Sequence, residues 1–287
     1  LLTAEAVISA DGARWRADLA SVNIGSRGNL AFELALTTAS KDLHSGRYGG
    51  AVPNAAHILA SIIAGLHAPD GSVAVDGFYD GIEEPGTDVR NQLADLPFDE
   101  TEFFAALESV PCGEAGYSTL ERLWLRPTLE INGMWSGYTG EGGKTVTPAE
   151  AHAKITTRLV PGQKPADIAL VLQRHFERVC PVGTTIHLIS HDQGNAAYLV
   201  PQDLPLLSAV EGAIEDALGA KPVRVRVGST LPLSDMIKRA LGIDTVTLSF
   251  STADEDFHSP NEFFRLSAIR EGHTAWVALL RRLGFAS

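Results

Sequence analysis

Two histidines and the residues around them set the chemical possibilities. His44 lies in Asp42-Leu43-His44-Ser45-Gly46-Arg47-Tyr48-Gly49-Gly50, where three glycines let the backbone take a positive φ or come close to another group. His258 lies in Asp254-Glu255-Asp256-Phe257-His258-Ser259-Pro260-Asn261-Glu262, directly after a run rich in carboxylates. An imidazole in such a setting can ligate a metal, move a proton or donate a hydrogen bond. Asp11 in Asp11-Gly12 and Ser229 in Gly228-Ser229-Thr230-Leu231-Pro232 each follow a strand-like run and add a carboxylate and a hydroxyl. Each also has a plainer reading: a polar loop for His44, a helix-cap neighbour for His258, simple turns for Asp11 and Ser229. Taken singly, these residues leave both readings open.

Two further motifs are set aside. Glu83-Glu84 has the form of a metal-and-base carboxylate pair, but its neighbours are turn residues and no ligand partner stands at useful spacing. The glycine-rich run Ser136 to Gly143, followed by Lys144-Thr145, lacks the spacing of a phosphate loop.

The elements that must position these residues read as follows. Ala4–Ala10 is a short strand ending at Asp11, and Leu30–Leu36 is a strand leading into the His44 loop. Pro53-Asn54 opens a helix with Ile58, Ile62, Ile63 and Leu66 at helical spacing, on which His57 reads as a surface or core residue. From His67 to Thr128 turn signals crowd together, so this stretch reads as an insertion with one short helix at Phe103–Leu107. Strands follow at Thr128–Trp135 and Ala151–Val160, the latter carrying Arg158; then come a helix over Ala166–Val179 and a strand over Thr184–Ser190. The order β, α, insertion, β, β, α, β is that of a ferredoxin-like α+β domain.

The remainder alternates differently: helix Leu204–Leu218, strand Val223–Val227, helix Asp235–Leu241, strand Thr245–Phe250 and a long helix Glu262–Leu283. Ser259 and Glu262 form a capping box with Pro260 at the first helical position, which predicts the start of that last helix. The alternation predicts an α/β domain with a mostly parallel sheet and helices on both faces. Its two segments, 1–26 and 197–287, flank the ferredoxin-like domain, 27–196, whose insertion spans about 67–128. Asp11, Ser229 and His258 then sit after strands of one sheet, where ligands of such folds gather.

Composition narrows the function classes. The net charge of -12 over 287 residues argues against nucleic acid or an anionic membrane as partner. Cys112 and Cys180 stand far apart, outside any C-x-x-C spacing, so neither a disulfide framework nor a thiolate zinc site is indicated, and a cytoplasmic setting fits. The longest apolar run, Ile58 to Leu66, is too short to span a bilayer. The chain begins Leu-Leu-Thr without an initiator Met, which suggests an upstream segment.

In combination, the motifs resemble the M20 metallopeptidases, in the dipeptidase branch similar to carnosinase and the cytosolic nonspecific dipeptidase. The likeness rests on Asp42 to Gly50 with Val52-Pro53-Asn54, Gly140 to Pro148, Arg158-Leu159-Val160-Pro161, Gly228-Ser229 and His258 to Glu262, in the family's order. It implies a catalytic α/β domain that holds two divalent metal ions, zinc or manganese, interrupted by a lid that mediates homodimerisation. By resemblance Asp11 and His258 would each ligate a metal, and His44 would reach into the partner subunit's site to stabilise an oxyanion. Arg158 would clamp the substrate's carboxylate, while Thr145, Asn132 and Ser229 would line the pocket. The family's His-x-Asp ligand, bridging Asp and Glu-Glu pair have no counterpart in the ten residues before Asp11. The resemblance therefore implies the C-terminal part of a longer dipeptidase, inactive alone and with metal bound weakly or not at all. An aminoacylase or deacylase of the same superfamily, or a non-catalytic dimerisation or ligand-binding module, stays open beside it.

Overall fold

The computed structural model describes residues 4–190, 192–257 and 259–284. The chain divides into two compact units, an outer one of residues 1–27 with 197–287 and an inner one of residues 28–196.

The outer unit begins with β1 (Val7–Ser9) and β2 (Ser21–Ser26). The inner unit follows with β3 (Gly28–Thr37), β4 (Leu43–His44), α1 (Ser45–Tyr48), α2 (Ala55–Ala64), α3 (Thr87–Ala94), α4 (Glu100–Ala106), α5 (Thr119–Trp124), β5 (Thr128–Ser136), β6 (Val146–Thr147), β7 (Glu150–Leu159), α6 (Pro165–Val179) and β8 (Thr185–Ser190). The outer unit resumes with β9 (Tyr198–Leu199), α7 (Pro205–Leu218), β10 (Val223–Val227), α8 (Pro232–Leu241), β11 (Thr245–Thr247) and α9 (Leu266–Arg282).

In the inner unit four strands form one sheet in the order β5-β7-β3-β8, every neighbouring pair antiparallel. This is the strand order of a split βαβ domain. Along β3 the residues Leu30, Phe32, Leu34 and Leu36 are buried and alternate with half-buried Ala31, Glu33, Ala35 and Thr37, so the strand covers a core on one face only. That face packs against Leu59 and Ile62 of α2 and Ile168, Leu172 and Phe176 of α6. Asn54 caps α2, its Oδ1 accepting from the N–H groups of Ala56 and His57.

The insertion holds three short helices rather than one. The loops around them are tied by buried Arg126, which donates to both oxygens of Glu114 at 2.8 and 2.6 Å and to Glu84 at 3.3 Å, with its guanidinium over the Tyr117 ring at 4.3 Å. Glu84 of the paired carboxylates is thus engaged by Arg126 and by the Tyr117 hydroxyl, which donates to it at 2.6 Å.

In the outer unit the strands form two short sheets instead of one. β1 pairs parallel with β11, while β2 pairs parallel with β10 and antiparallel with β9. The wholly buried β2, Ser-Val-Asn-Ile-Gly-Ser, has no place in the sequence reading because its polar residues mask the pattern of a buried strand. Helices α7 and α9 share a core with β2 and β11 through Leu207, Val210, Ile214, Ala275, Leu279, Val22, Ile24 and Val246.

The last helix corrects an expectation. It starts at Leu266, not at Glu262, and Arg265 occupies its cap position without a side-chain cap bond. Ser259 and Glu262 close only a turn, and Asn261 sits at φ 69, which ends helical propagation there. A capping box forms upstream instead, between Thr252 and Glu255 at a single 3-10 turn (Ala253–Glu255). The fully buried Glu255 carboxylate also accepts the Arg265 N–H and guanidinium, and its carbonyl accepts the Phe263 N–H. These bonds fold the chain back on itself before α9 begins.

Candidate active site

The His44 segment is not a free loop. Its two-residue strand β4 pairs antiparallel with β6, setting Leu43 opposite Thr147 and His44 opposite Val146. Asp42 fastens the base: its Oδ1 accepts the Ala149 N–H at 2.9 Å. Beyond the pair, the Ser45 N–H donates to the Thr145 carbonyl at 3.1 Å. The imidazole is held from below, its Nδ1 accepting the Gly46 N–H at 3.0 Å, and Nε2 lies 3.5 Å from the Thr145 hydroxyl oxygen. His44 and Thr145, both named through the family resemblance, are therefore brought together.

The three glycines serve different ends. Only Gly50 takes a left-handed φ, at 79. A Cβ on Gly46 would lie 3.0 Å from Cε1 and 3.3 Å from Nδ1 of His44, and one on Gly49 would strike the Ser45 carbonyl oxygen. Two of the three are thus required by close approach.

Arg158 and Asn132 stand on the other sheet of the inner unit, the four-stranded one. Arg158 is near the far end of β7, paired with Asn29 on one side and Thr128 on the other. Glu150, which opens β7 beside the Asp42 staple, is eight residues away, about 26 Å at the rise of an extended strand. Exposed Asn132 sits at a bulge in β5 between Ile131 and Gly133, which aims an extra side chain out of the regular pairing. Trp135 and His152, which no motif of the sequence marks, stack their rings 5.0 Å apart with Glu33 and Glu150 beside the imidazole. Their signal was available only as period-two alternation on two strands whose pairing the sequence did not reveal. A groove of about 500 Å³ between α2 and α6, lined by His57, Ile62, His175 and Val179, holds none of the predicted site residues.

In the outer unit, Asp11 is exposed just beyond β1, its Oδ1 accepting the Gly12 N–H at 2.9 Å. The loop after β10 comes to the same edge: a Cβ on Gly12 would lie 3.8 Å from Leu231 and 3.4 Å from Thr247 at the end of β11. The Gly228 carbonyl, next to Ser229, accepts from Arg27 Nε at 2.9 Å. Asp11 and the segment holding Ser229 thus gather at the C-terminal ends of parallel strands. His258 lies outside the described residues. Among the described residues no group of three His, Cys, Asp or Glu side chains is arranged to hold a metal ion. Asp11 offers a single carboxylate, so the described residues do not by themselves fit a two-metal centre. No helix among them is long and apolar enough to cross a membrane.

A ferredoxin-like domain set in sequence between two segments of an α/β unit, with a histidine braced on a short strand pair of its own, defines a class. Residues 24–202 match the peptidase dimerisation domain of the M20 class, and the chain belongs to that family. It is 26% identical over 246 residues to Beta-Ala-His dipeptidase of Homo sapiens, an alignment covering 84% of this chain and 48% of the relative. It is 25% identical over 271 residues to Cys-Gly metallodipeptidase dug1 of Schizosaccharomyces pombe, covering 92% and 56%. Among solved structures, the M20 family metallo-carboxypeptidase Sso-CP2 from Sulfolobus solfataricus superposes with a TM-score of 0.83 at 26% identity, over 99% of this chain and 65% of that one. The di-peptidase Dug1p from Saccharomyces cerevisiae shares the fold with a TM-score of 0.82 at 23% identity, over 98% and 60%. The chain spans about half the length of the curated relatives it matches.

Proposed function

We propose that this chain is the C-terminal part of a two-metal M20 peptidase that hydrolyses dipeptides, or closely similar amides, bearing a free C-terminal carboxylate. The names of its relatives, dipeptidases of Beta-Ala-His and Cys-Gly, support the reaction class. Arg158 binds the carboxylate through paired N–H donors. His44 donates from Nε2 to the scissile carbonyl oxygen as charge develops there. Thr145, Asn132 and Ser229 line the pocket. Asp11 and His258 would each give one ligand to a divalent ion, zinc or manganese, whose remaining ligands and general base would come from a segment outside this chain. When bound, such ions supply carbonyl polarisation and a deprotonated water. Without that segment the chain is inactive. The protein acts in the cytoplasm.

The observation that carries the reading is the separation within one inner unit: His44 pairs with Val146 of β6, just before β7 begins at Glu150, and Arg158 lies near the far end of β7. A dipeptide spans only about 7 Å. His44 and Arg158 therefore serve one substrate most simply if His44 comes from a second copy, which favours a homodimer formed through the inner unit.

The test uses the full-length protein loaded with zinc or manganese. A His44→Ala protomer mixed with an Asp11→Ala protomer should regain part of the dipeptidase activity that each lacks alone. Failure of every mixture to regain activity would overturn the two-subunit site. Turnover by the present chain alone at the full-length rate would show that the metal and base assignments are wrong.

A further inference from the structure

We infer that Gly46 is a positioning residue which fixes His44 as a neutral Nε2–H donor. The inference deepens the role proposed for His44 and rests on that reading for its catalytic consequence, although the tautomer itself does not depend on it.

A backbone N–H can only donate, so the lone pair of Nδ1 is committed to Gly46 at 3.0 Å. A neutral imidazole has one N–H and one lone pair; with the lone pair at Nδ1, the proton belongs to Nε2. In this state Nε2 faces the Thr145 hydroxyl at 3.5 Å, a long contact that leaves the N–H available to a substrate oxygen. The same residue gives the ring its room. Gly46 has no positive φ, and its need for glycine lies in the 3.0 Å gap between a would-be Cβ and Cε1. Ring placement is further fixed by the β4–β6 pairing and by the Asp42 bond to Ala149. The arrangement makes His44 a donor rather than a base. Its second nitrogen is occupied by a group that cannot accept a proton from it.

Nitrogen-detected NMR of the full-length protein at about pH 8, above the ordinary imidazole range, reads the tautomer directly. The His44 signals can be identified by their loss in His44→Gln. The wild type should show Nε2 protonated and Nδ1 as a hydrogen-bonded acceptor. Gly46→Ala should displace the ring, weaken the Nδ1 bond and lower kcat by about tenfold to hundredfold, with KM changed less than twofold. A proton found on Nδ1 in the wild type overturns the inference. So does a Gly46→Ala protein with unaltered ring signals and unaltered kcat. Independently of how Gly46→Ala folds, His44→Gln keeps an N–H donor near the position of Nε2 but cannot take up a proton. It should retain more kcat than His44→Ala, whereas two equally inactive variants would contradict a donor role. If the tautomer is as stated but His44→Ala leaves kcat unchanged, the inference about Gly46 stands and the proposed role of His44 falls.

Discussion

Helices α6 and α8 are both amphipathic, yet one buries its apolar stripe and the other leaves it exposed. In the inner unit α6 buries Ile168, Leu172 and Phe176 and turns Gln173, Arg174 and Glu177 to solvent. In the outer unit α8 buries Ser234 and Asp235 while Leu233, Met236 and Leu241 remain 46 to 53% exposed. Helix α9 continues the pattern, with Leu266, Ile269 and Leu280 exposed along one side and Ala268, Ala275 and Leu279 buried. The periodicity of a helix tells that it has an apolar stripe but not what covers that stripe. The inner unit has closed its own core. The outer unit presents apolar surface of the kind that another polypeptide surface buries.

The largest expected effect tests this contrast directly. Residues 28–196 expressed alone should unfold in one cooperative urea transition, because their sheet, both helices and the insertion close one core. Segments 1–27 and 197–287 joined by a flexible linker should bind a hydrophobic dye or aggregate. A monodisperse, cooperatively folding outer fragment would break the comparison.

Single residues sharpen it. Leu172→Ala in α6 removes a fully buried side chain and should cost about 2 to 5 kcal/mol in urea denaturation. Met236→Ala in α8, at 53% exposure, should stay within about 0.5 kcal/mol. An equal loss at both positions would mean that the stripe of α8 is already covered in solution.

A smaller effect is expected at the base of the His44 segment. Asp42→Ala leaves the Ala149 N–H without its acceptor and should cost about 0.5 to 1.5 kcal/mol. Asp42→Asn, which keeps a carbonyl oxygen in place, should recover most of it. The readout is amide exchange at Ala149: unchanged protection in Asp42→Ala would show that the staple is dispensable.

How far the sequence reaches follows the same division. Alternation along Leu30 to Leu36 and helical spacing in Ile168, Leu172 and Phe176 were readable because each pattern faces a core made by its own unit. The strand Ser21–Ser26 was not, since a strand buried on both faces shows no alternation and this one is half polar. The capping box at Ser259 and Glu262 misled because a stronger competitor, buried Glu255 with Arg265, lies outside the local window. At the site, the residue types around His44 drew attention to the loop. The Asp42 bond to Ala149 spans 107 residues of sequence, and the Gly46 contact depends on ring placement, so neither could be read beforehand.

The smallest effect compares one tyrosine in each unit, half-buried Tyr117 and buried Tyr198. Burial pushes the Tyr117 hydroxyl up to about 12, aided by its bond to the Glu84 carboxylate. Burial likewise raises Tyr198 to about 12, partly opposed by the Thr245 N–H that donates to its oxygen. An unfolded tyrosine ionises near 10. Between these values the unfolded chain has lost protons that the folded chain retains, so stability is fully present below about pH 10 and declines as pH rises toward 12. Phenolate absorbance should show these two groups titrating well above pH 10. Tyr117→Phe and Tyr198→Phe should each flatten the alkaline fall in melting temperature. If the units unfold separately, each substitution should act only on the transition of its own unit; if both act on one shared transition, the two units are thermodynamically coupled and the outer unit's open apolar surface does not weaken it relative to the inner.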